Sequence, residues 1–183
     1  SHERQQILRH VVLNLMGRTP EKSSLSDDVF NESTHLKIME DIQYGTGIAL
    51  YYYYRMFILY TRGFYREAFE MSRNAIRNIQ YIGSSIQEAD TVFYSSLCMI
   101  RLYPESDPDT REQFMDTIKG NIATIATWRE NCPHNFTCKN LILDAELARL
   151  DGNYWHAGEL FDDAISDAGK NGFLSMAALA AEL

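Results

Sequence analysis

Long apolar runs, a basic surplus and strand-type alternation are all missing from this sequence of 183 residues. The most apolar stretch, residues 48–60, is rich in tyrosine and broken by Arg55, and it falls well short of the ~20 apolar residues that cross a bilayer. We therefore expect a buried helix there and no membrane contact. The formal net charge of −8 argues against a nucleic-acid-binding surface, which would be basic, and favours neutral or basic partners.

Cysteines are few, and the motifs of common enzyme classes are missing. Three cysteines without a secretory signal predict reduced thiols and a cytoplasmic location. The sequence has no phosphate-binding Gly-x-x-x-x-Gly-Lys-Ser/Thr loop, no Gly-x-Ser-x-Gly elbow and no kinase signature. We therefore predict no catalytic residue, no bound cofactor and no metal ligand.

What the sequence does contain is helical periodicity around Gly152. Small and apolar residues recur at steps of three and four before and after this glycine; they are Phe136, Leu143, Leu147, Leu150, Tyr154, Ala157, Phe161, Ala164, Ile165 and Ala168. Such spacing places each set on one face of an α-helix. Glycine fits the left-handed position that ends many helices, so the pattern predicts an antiparallel helical hairpin.

The same frame occurs earlier, around Gly63. Shifting by 89 positions aligns Gly63, Tyr65, Ala68, Ala75 and Ile76 with Gly152, Tyr154, Ala157, Ala164 and Ile165. This frame is similar to the tetratricopeptide hairpin, which has a glycine at the turn and small residues on its second helix. The alternative is a helical bundle whose two hairpins are alike by coincidence.

Together these patterns predict an all-α protein with about seven helices. We expect antiparallel hairpins over residues 48–81, 86–129 and 136–170, stacked as a tetratricopeptide-like superhelix in one domain, 1–183. Residues 18–34 read as a loop, 36–42 as a brief helix, and 173–183 as a last helix in an apolar pattern that lacks a stop signal. Such an ending is typical of a fragment from a longer chain.

Cys132, His134 and Cys138 form the one string that invites a zinc interpretation. A structural zinc site needs four ligands, usually as two close pairs, and no second pair lies nearby in the sequence. Small packing residues at a helix start explain these cysteines better. Asp162 and Asp163 fall on the polar face of the helix after Gly152, where we expect a solvated surface.

Two alternative functions involve other residues. Histidine phosphotransfer domains are small helical bundles with one exposed histidine, and His10 or His35 would be the acceptor here. A ligand-sensing repeat module would use a groove, for which Tyr51 to Tyr54 are the candidates. These four consecutive tyrosines cannot all face one way, so we expect their helix to be covered on more than one side.

A more specific resemblance lies in the last third of the chain. The string Trp128-Arg-Glu-Asn-Cys-Pro-His-Asn-Phe136, followed by Asp144-Ala-Glu-Leu-Ala-Arg-Leu-Asp-Gly152, resembles the helical region of large hybrid sensor histidine kinases of bacteria and fungi. That region typically reads Trp-Ala-Glu-Asn-Cys-Pro-Glu-Asn-Phe and then Glu-Ala-Glu-x-Ala-Arg-Leu-x-Gly. Further matches are Lys139, Ala164, Ile165, Ala168, Asn171, Gly172, Phe173, Leu179, Ala180, Glu182 and Leu183. Departures include His134 for Glu, Cys138 for His and Asn140 for Tyr.

The resemblance implies a place in a multidomain chain. In those proteins the helical region lies between an AAA-type ATPase module and a GAF sensor domain, with a protein-kinase-like domain in front and a histidine-kinase core behind. By that resemblance this chain would be a non-catalytic scaffold in two-component signal transduction, contacting other domains of its own chain or a protein partner. Glu146 and Arg149 are charged within an apolar helix, and we expect them to form a structural pair.

Overall fold

A computed structural model describes residues 2–183, and all regular structure in that range is helical, as predicted. It has nine α-helices there, rather than about seven. They are α1 (His2–Leu15), α2 (Glu32–Asp41), α3 (Gly45–Thr61), α4 (Tyr65–Arg77), α5 (Ile86–Leu102), α6 (Pro108–Asn131), α7 (Pro133–Leu150), α8 (Tyr154–Lys170) and α9 (Leu174–Glu182). Short 3₁₀ helices cover Ile79–Ile82 and Tyr103–Glu105.

The chain divides into two compact units, Ser1–Cys98 and Met99–Leu183, and the division falls within α5. In the first unit, α1, α2 and α4 pack against α3. In the second, α6, α7 and α8 each contact the next helix along the chain, and α9 also contacts α7. The single domain and the stacking of hairpins into a superhelix stay predictions.

The first unit is built around the tyrosine-rich helix α3. One apolar cluster joins it to α1, α2 and the segment between them; its buried members are Ile7, Val11, Leu25, Phe30, Met39, Tyr51 and Ile58. On the opposite side, Tyr53 donates a hydrogen bond to Asp90 of α5 (3.0 Å), and Phe57 and Tyr60 pack edge-on against Tyr94. The expectation that α3 is covered on more than one side is confirmed.

Polar side chains fix the loop between α1 and α2. The buried Asn14 amide donates to the Ser24 carbonyl (2.8 Å) and to Thr19 Oγ1 (3.0 Å). Arg55 Nη1 donates to the Ser23 carbonyl (2.6 Å), and its Nε lies 3.0 Å from Glu32 Oε2. These groups replace the backbone hydrogen bonds that an irregular segment lacks.

The predicted limits of α2 are wrong, because the helix begins at Glu32 and not at Leu36. Asn31 has extended backbone angles, and its Oδ1 accepts the Thr34 N–H (2.9 Å), which is the geometry of a helix N-cap. Many of the residues before Asn31 are also polar, so the sequence alone does not distinguish the capping residue from the loop that precedes it.

The two glycine-centred turns are confirmed. Gly63 and Gly152 have positive φ angles of 82° and 79°. After each glycine, the next N–H bonds to the carbonyl five residues back: Phe64 to Leu59 (2.8 Å) and Asn153 to Ala148 (2.9 Å). This is the Schellman pattern of helix termination.

Small residues behind each turn let the paired helices approach closely. Ala68, Ser72 and Ala75 are the buried residues of α4, and Ala157, Ala164 and Ala168 are those of α8. The spacing is that of one helical stripe in both cases. Each hairpin therefore packs its second helix against the first through short side chains.

Replacing Gly152 with alanine should lower the free energy of unfolding by about 1 kcal/mol, because alanine adopts positive φ only with strain. Gly120→Ala is the matched control in the same unit. It lies within α6 with open space around the added methyl, so it should stabilise by about 0.5–1 kcal/mol. Urea denaturation of both variants measures the difference. Equal stabilisation by the two substitutions would contradict the turn assignment.

Candidate functional site

His10, one of the two candidate phosphoryl acceptors, is buried beneath the loop between α1 and α2. Its side chain is 1% exposed. Its Nδ1 lies 2.8 Å from the Gln6 carbonyl oxygen, and its Nε2 lies 3.1 Å from Asp27 Oδ2. A phosphoryl acceptor needs an accessible nitrogen, and both ring nitrogens here are occupied.

Asp27 holds this histidine in place. Its Oδ1 accepts the N–H groups of Val29 (2.9 Å) and Phe30 (2.8 Å). The hydrogen bond from Val29, followed by that from Phe30 and the charge of His10, holds the pKa of the Asp27 carboxyl below its usual range despite partial desolvation. The carboxylate thus serves a local structural role.

His35 lies on the other side of the same aromatic ring. The Phe30 ring stacks on His10 at 3.9 Å between centroids and on His35 at 4.4 Å. His35 Nδ1 contacts a carboxylate oxygen of Glu3. The His35 side chain is 20% exposed and its Nδ1 is occupied by Glu3, so only a small part of the ring is accessible to an incoming phosphoryl group.

The tyrosines proposed for a ligand groove belong to the packed interior. Tyr51 donates a hydrogen bond to Glu32 (3.3 Å), and Tyr53 to Asp90 (3.0 Å). Burial, followed by the nearby carboxylate, raises the pKa of both phenols. Tyr52 and Tyr54 are half-buried and pack against the first-unit core. These side chains pack α3 against its neighbouring helices.

The Cys132, His134 and Cys138 string serves the junction of α6 and α7. Cys138 is buried in α7, and burial raises the pKa of its thiol to about 11. His134 Nδ1 lies 3.1 Å from Asn171 Oδ1, at the end of α8. Within residues 2–183, no group of three or more His, Cys, Asp or Glu side chains is arranged to hold a metal ion.

Glu146 and Arg149 form the expected pair. Arg149 Nη2 donates to Glu146 Oε2 at 2.5 Å, and the Glu146 side chain is 1% exposed. The second oxygen, Oε1, accepts no hydrogen bond in the described part of the chain. One turn earlier, the buried Asn140 donates to Asp144 Oδ2 (2.9 Å), and desolvation raises the pKa of Asp144. α7 therefore places Lys139, Asn140 and Glu146 inside the second unit.

The accessible surface of interest lies on α8. Tyr154 and Trp155 are 73% and 81% exposed at its start. The Trp155 indole N–H donates to Glu159 Oε1 (3.1 Å), whose other oxygen lies 3.5 Å from His156 Nδ1. Asp162, one turn further, is exposed as well, so the expectation of a solvated acidic face is confirmed.

Sequence patterns contained a signal for two of these features. His10 and Asn14 continue the helical stripe of Ile7 and Val11, which indicates burial. Trp155 falls on the polar stripe of α8, with Glu159 and Asp162, which indicates exposure. The bonds of Asn14 and Arg55 to the loop carbonyls follow no local pattern, and sequence reasoning missed them.

Comparison with protein-family models, curated proteins and solved structures finds no match to this chain. None of the helices in residues 2–183 combines the length and the apolar character that crossing a membrane requires. The residues themselves therefore carry the functional argument.

Replacing Arg149 with methionine should destabilise the second unit by about 3 kcal/mol, because the buried Glu146 carboxylate loses its counter-charge. The double variant Glu146→Gln/Arg149→Met should recover most of that loss, since no charge remains to be compensated. Urea denaturation of the wild type and both variants measures the effect. A double variant as unstable as Arg149→Met alone would contradict the pairing role.

Proposed function

We propose that this chain is a non-catalytic helical-repeat scaffold of a two-component sensor histidine kinase. It contacts other domains of its own signalling chain or a protein partner. The observation that carries the proposal is the string from Trp128 to Gly152, whose residues build the α6–α7 junction and the α7–α8 hairpin.

Each part of that string has a structural task that fits a packed scaffold. The Trp128 and Phe136 rings pack 5.7 Å apart across the junction. Pro133 is the first residue of α7, where its missing N–H costs nothing. Glu146 and Arg149 pair within α7, and Gly152 provides the left-handed turn. The resemblance thus rests on residues that determine the shape of the hairpin.

The geometry favours this proposal over histidine phosphotransfer. His10 is buried with both ring nitrogens occupied, and His35 contacts Glu3. The ligand-sensing alternative is weakened in the same way, because Tyr51 and Tyr53 are buried and hydrogen-bonded to carboxylates. An exposed aromatic and acidic face on α8 suits a binding role.

Incubation with acetyl phosphate, followed by mass spectrometry at neutral pH, should leave His10 and His35 unmodified. An authentic phosphotransfer domain in the same experiment verifies that the reagent is active. Phosphohistidine at either position would contradict the scaffold proposal and support the phosphotransfer bundle.

The position in the parent protein is tested separately, by sequencing the reading frame that encodes this chain. We expect an ATPase module upstream, and a GAF domain and histidine-kinase core downstream. A reading frame that encodes neither would contradict the placement in a sensor kinase.

A further inference from the structure

The outward face of α8 combines an exposed aromatic ring with exposed carboxylates. Trp155, Gly158, Glu159 and Asp162 follow one another at steps of three, one and three, so they lie on one stripe of the helix. This stripe, called the α8 outer face below, is opposite the buried Ala157, Ala164 and Ala168. Trp155 is 81% exposed, and tryptophan is enriched among the residues that contribute most of the binding energy at protein interfaces.

The charge of the chain is concentrated in the same unit. Residues 99–183 contain seven Lys and Arg against fourteen Asp and Glu, so they carry −7 of the formal −8. Within α8 itself, four acidic residues stand against one basic residue, Lys170, at its far end. The electrostatic potential at the α8 outer face therefore favours a cationic partner.

Gly158 has no structural explanation within the second unit. It lies in the helix interior, and an added Cβ would meet no heavy atom within 4 Å. Glycine in an exposed helix interior costs about 1 kcal/mol relative to alanine. It does allow another backbone to come close to the helix, directly beside Trp155 and Glu159.

We propose that the α8 outer face docks a basic, arginine-bearing segment of a protein partner. An arginine side chain stacks on the Trp155 indole, while the Glu159 and Asp162 carboxylates receive its guanidinium and a neighbouring cation. The partner backbone passes over Gly158. This deepens the proposed function, because it names the partner chemistry of the scaffold and rests on its role in protein contact.

The geometry favours arginine over lysine. A planar guanidinium stacks on an indole and can bind a carboxylate at its edge at the same time. Glu159 is already held beside the ring by the Trp155 hydrogen bond and by His156, so the acceptor is preorganised. The positive end of the helix dipole acts mainly in the first turn. Asp162 lies beyond that turn, so its negative charge remains available to a cationic partner.

The test is a titration of the chain, residues 1–183, with a fluorescently labelled peptide. The peptide is alanine-based, carries arginine at regular intervals and has about 20 residues, which is long enough to form a helix. Fluorescence anisotropy at low salt should show saturable binding that weakens as the salt concentration rises. The lysine version of the peptide should bind several-fold more weakly. In NMR spectra, the Trp155 indole N–H signal should shift, while that of Trp128 serves as the internal reference.

Three variants locate the interaction. Trp155→Ala should weaken binding about tenfold, and Glu159→Gln/Asp162→Asn about fivefold. The matched control for charge is Glu112→Gln/Asp116→Asn, an exposed acidic pair about one helical turn apart on α6, which should change affinity less than twofold. Gly158→Gln should raise the melting temperature yet weaken binding, whereas Gly120→Gln should raise the melting temperature alone.

Three results would overturn the proposal. One is an equal loss of affinity in the α6 charge control, which would indicate attraction to net charge alone. Another is no binding of the arginine peptide at low salt. The third is self-association in sedimentation experiments that Trp155→Ala abolishes, which would make a second copy of the chain the occupant. None of these results bears on the reading-frame test, so failure here is distinguishable from failure of the proposed function.

Discussion

The hairpins depend on one backbone constraint, a left-handed residue directly after a helix. Among residues 2–183, five helices end this way: α1 at Gly17, α2 at Gln43, α3 at Gly63, α7 at Gly152 and α8 at Gly172. In each case the following N–H returns to the carbonyl five residues back, at 2.8–2.9 Å. At the last four of these turns only three residues separate the two helices, so the second helix must pack antiparallel to the first.

The turns determine the direction of the next helix, and side chains of two kinds determine how the helices pack. Small residues on α4 and α8 allow close helix contacts, while tyrosines on α3 reach Glu32 of α2 and Asp90 of α5. The irregular segment before α2 buries Leu25 and Phe30 in the same core, and polar groups of Asn14, Arg55 and Glu32 also hold it in place. Two units with different interiors thus share one way of ending a helix.

The helices and the glycine turns could be predicted because their causes are local. The spacing of apolar residues defines a helix face. Glycine, found at positions 63 and 152, is the one residue type that adopts positive φ without strain. The turn at Gln43 could not be predicted, since a glutamine with a φ of 52° is disfavoured and tertiary packing must compensate. The start of α2 was missed because the capping Asn31 lies within a polar run.

The candidate sites also differ in whether their contacts are local or long-range in the sequence. Glu146 and Arg149 stood out as charges in an apolar helix three positions apart, and the local spacing was enough to predict their pair. The burial of His10 depends on Asp27 and Phe30, which lie 17 and 20 positions further along the chain. The stripe of Ile7 and Val11 indicates that His10 faces the interior, but the long-range contact that occupies its Nε2 leaves no periodic pattern.

Native-state hydrogen exchange of the turn amides tests the central constraint most directly. The N–H groups of Phe64, Asn153 and Phe173 each follow a glycine and bond back to the preceding helix, although they lie outside helices. We expect these three amides to exchange far more slowly than free peptide groups do. Exchange at the rate of an unstructured chain would mean that the helices do not end in left-handed turns, and the hairpin architecture would be contradicted.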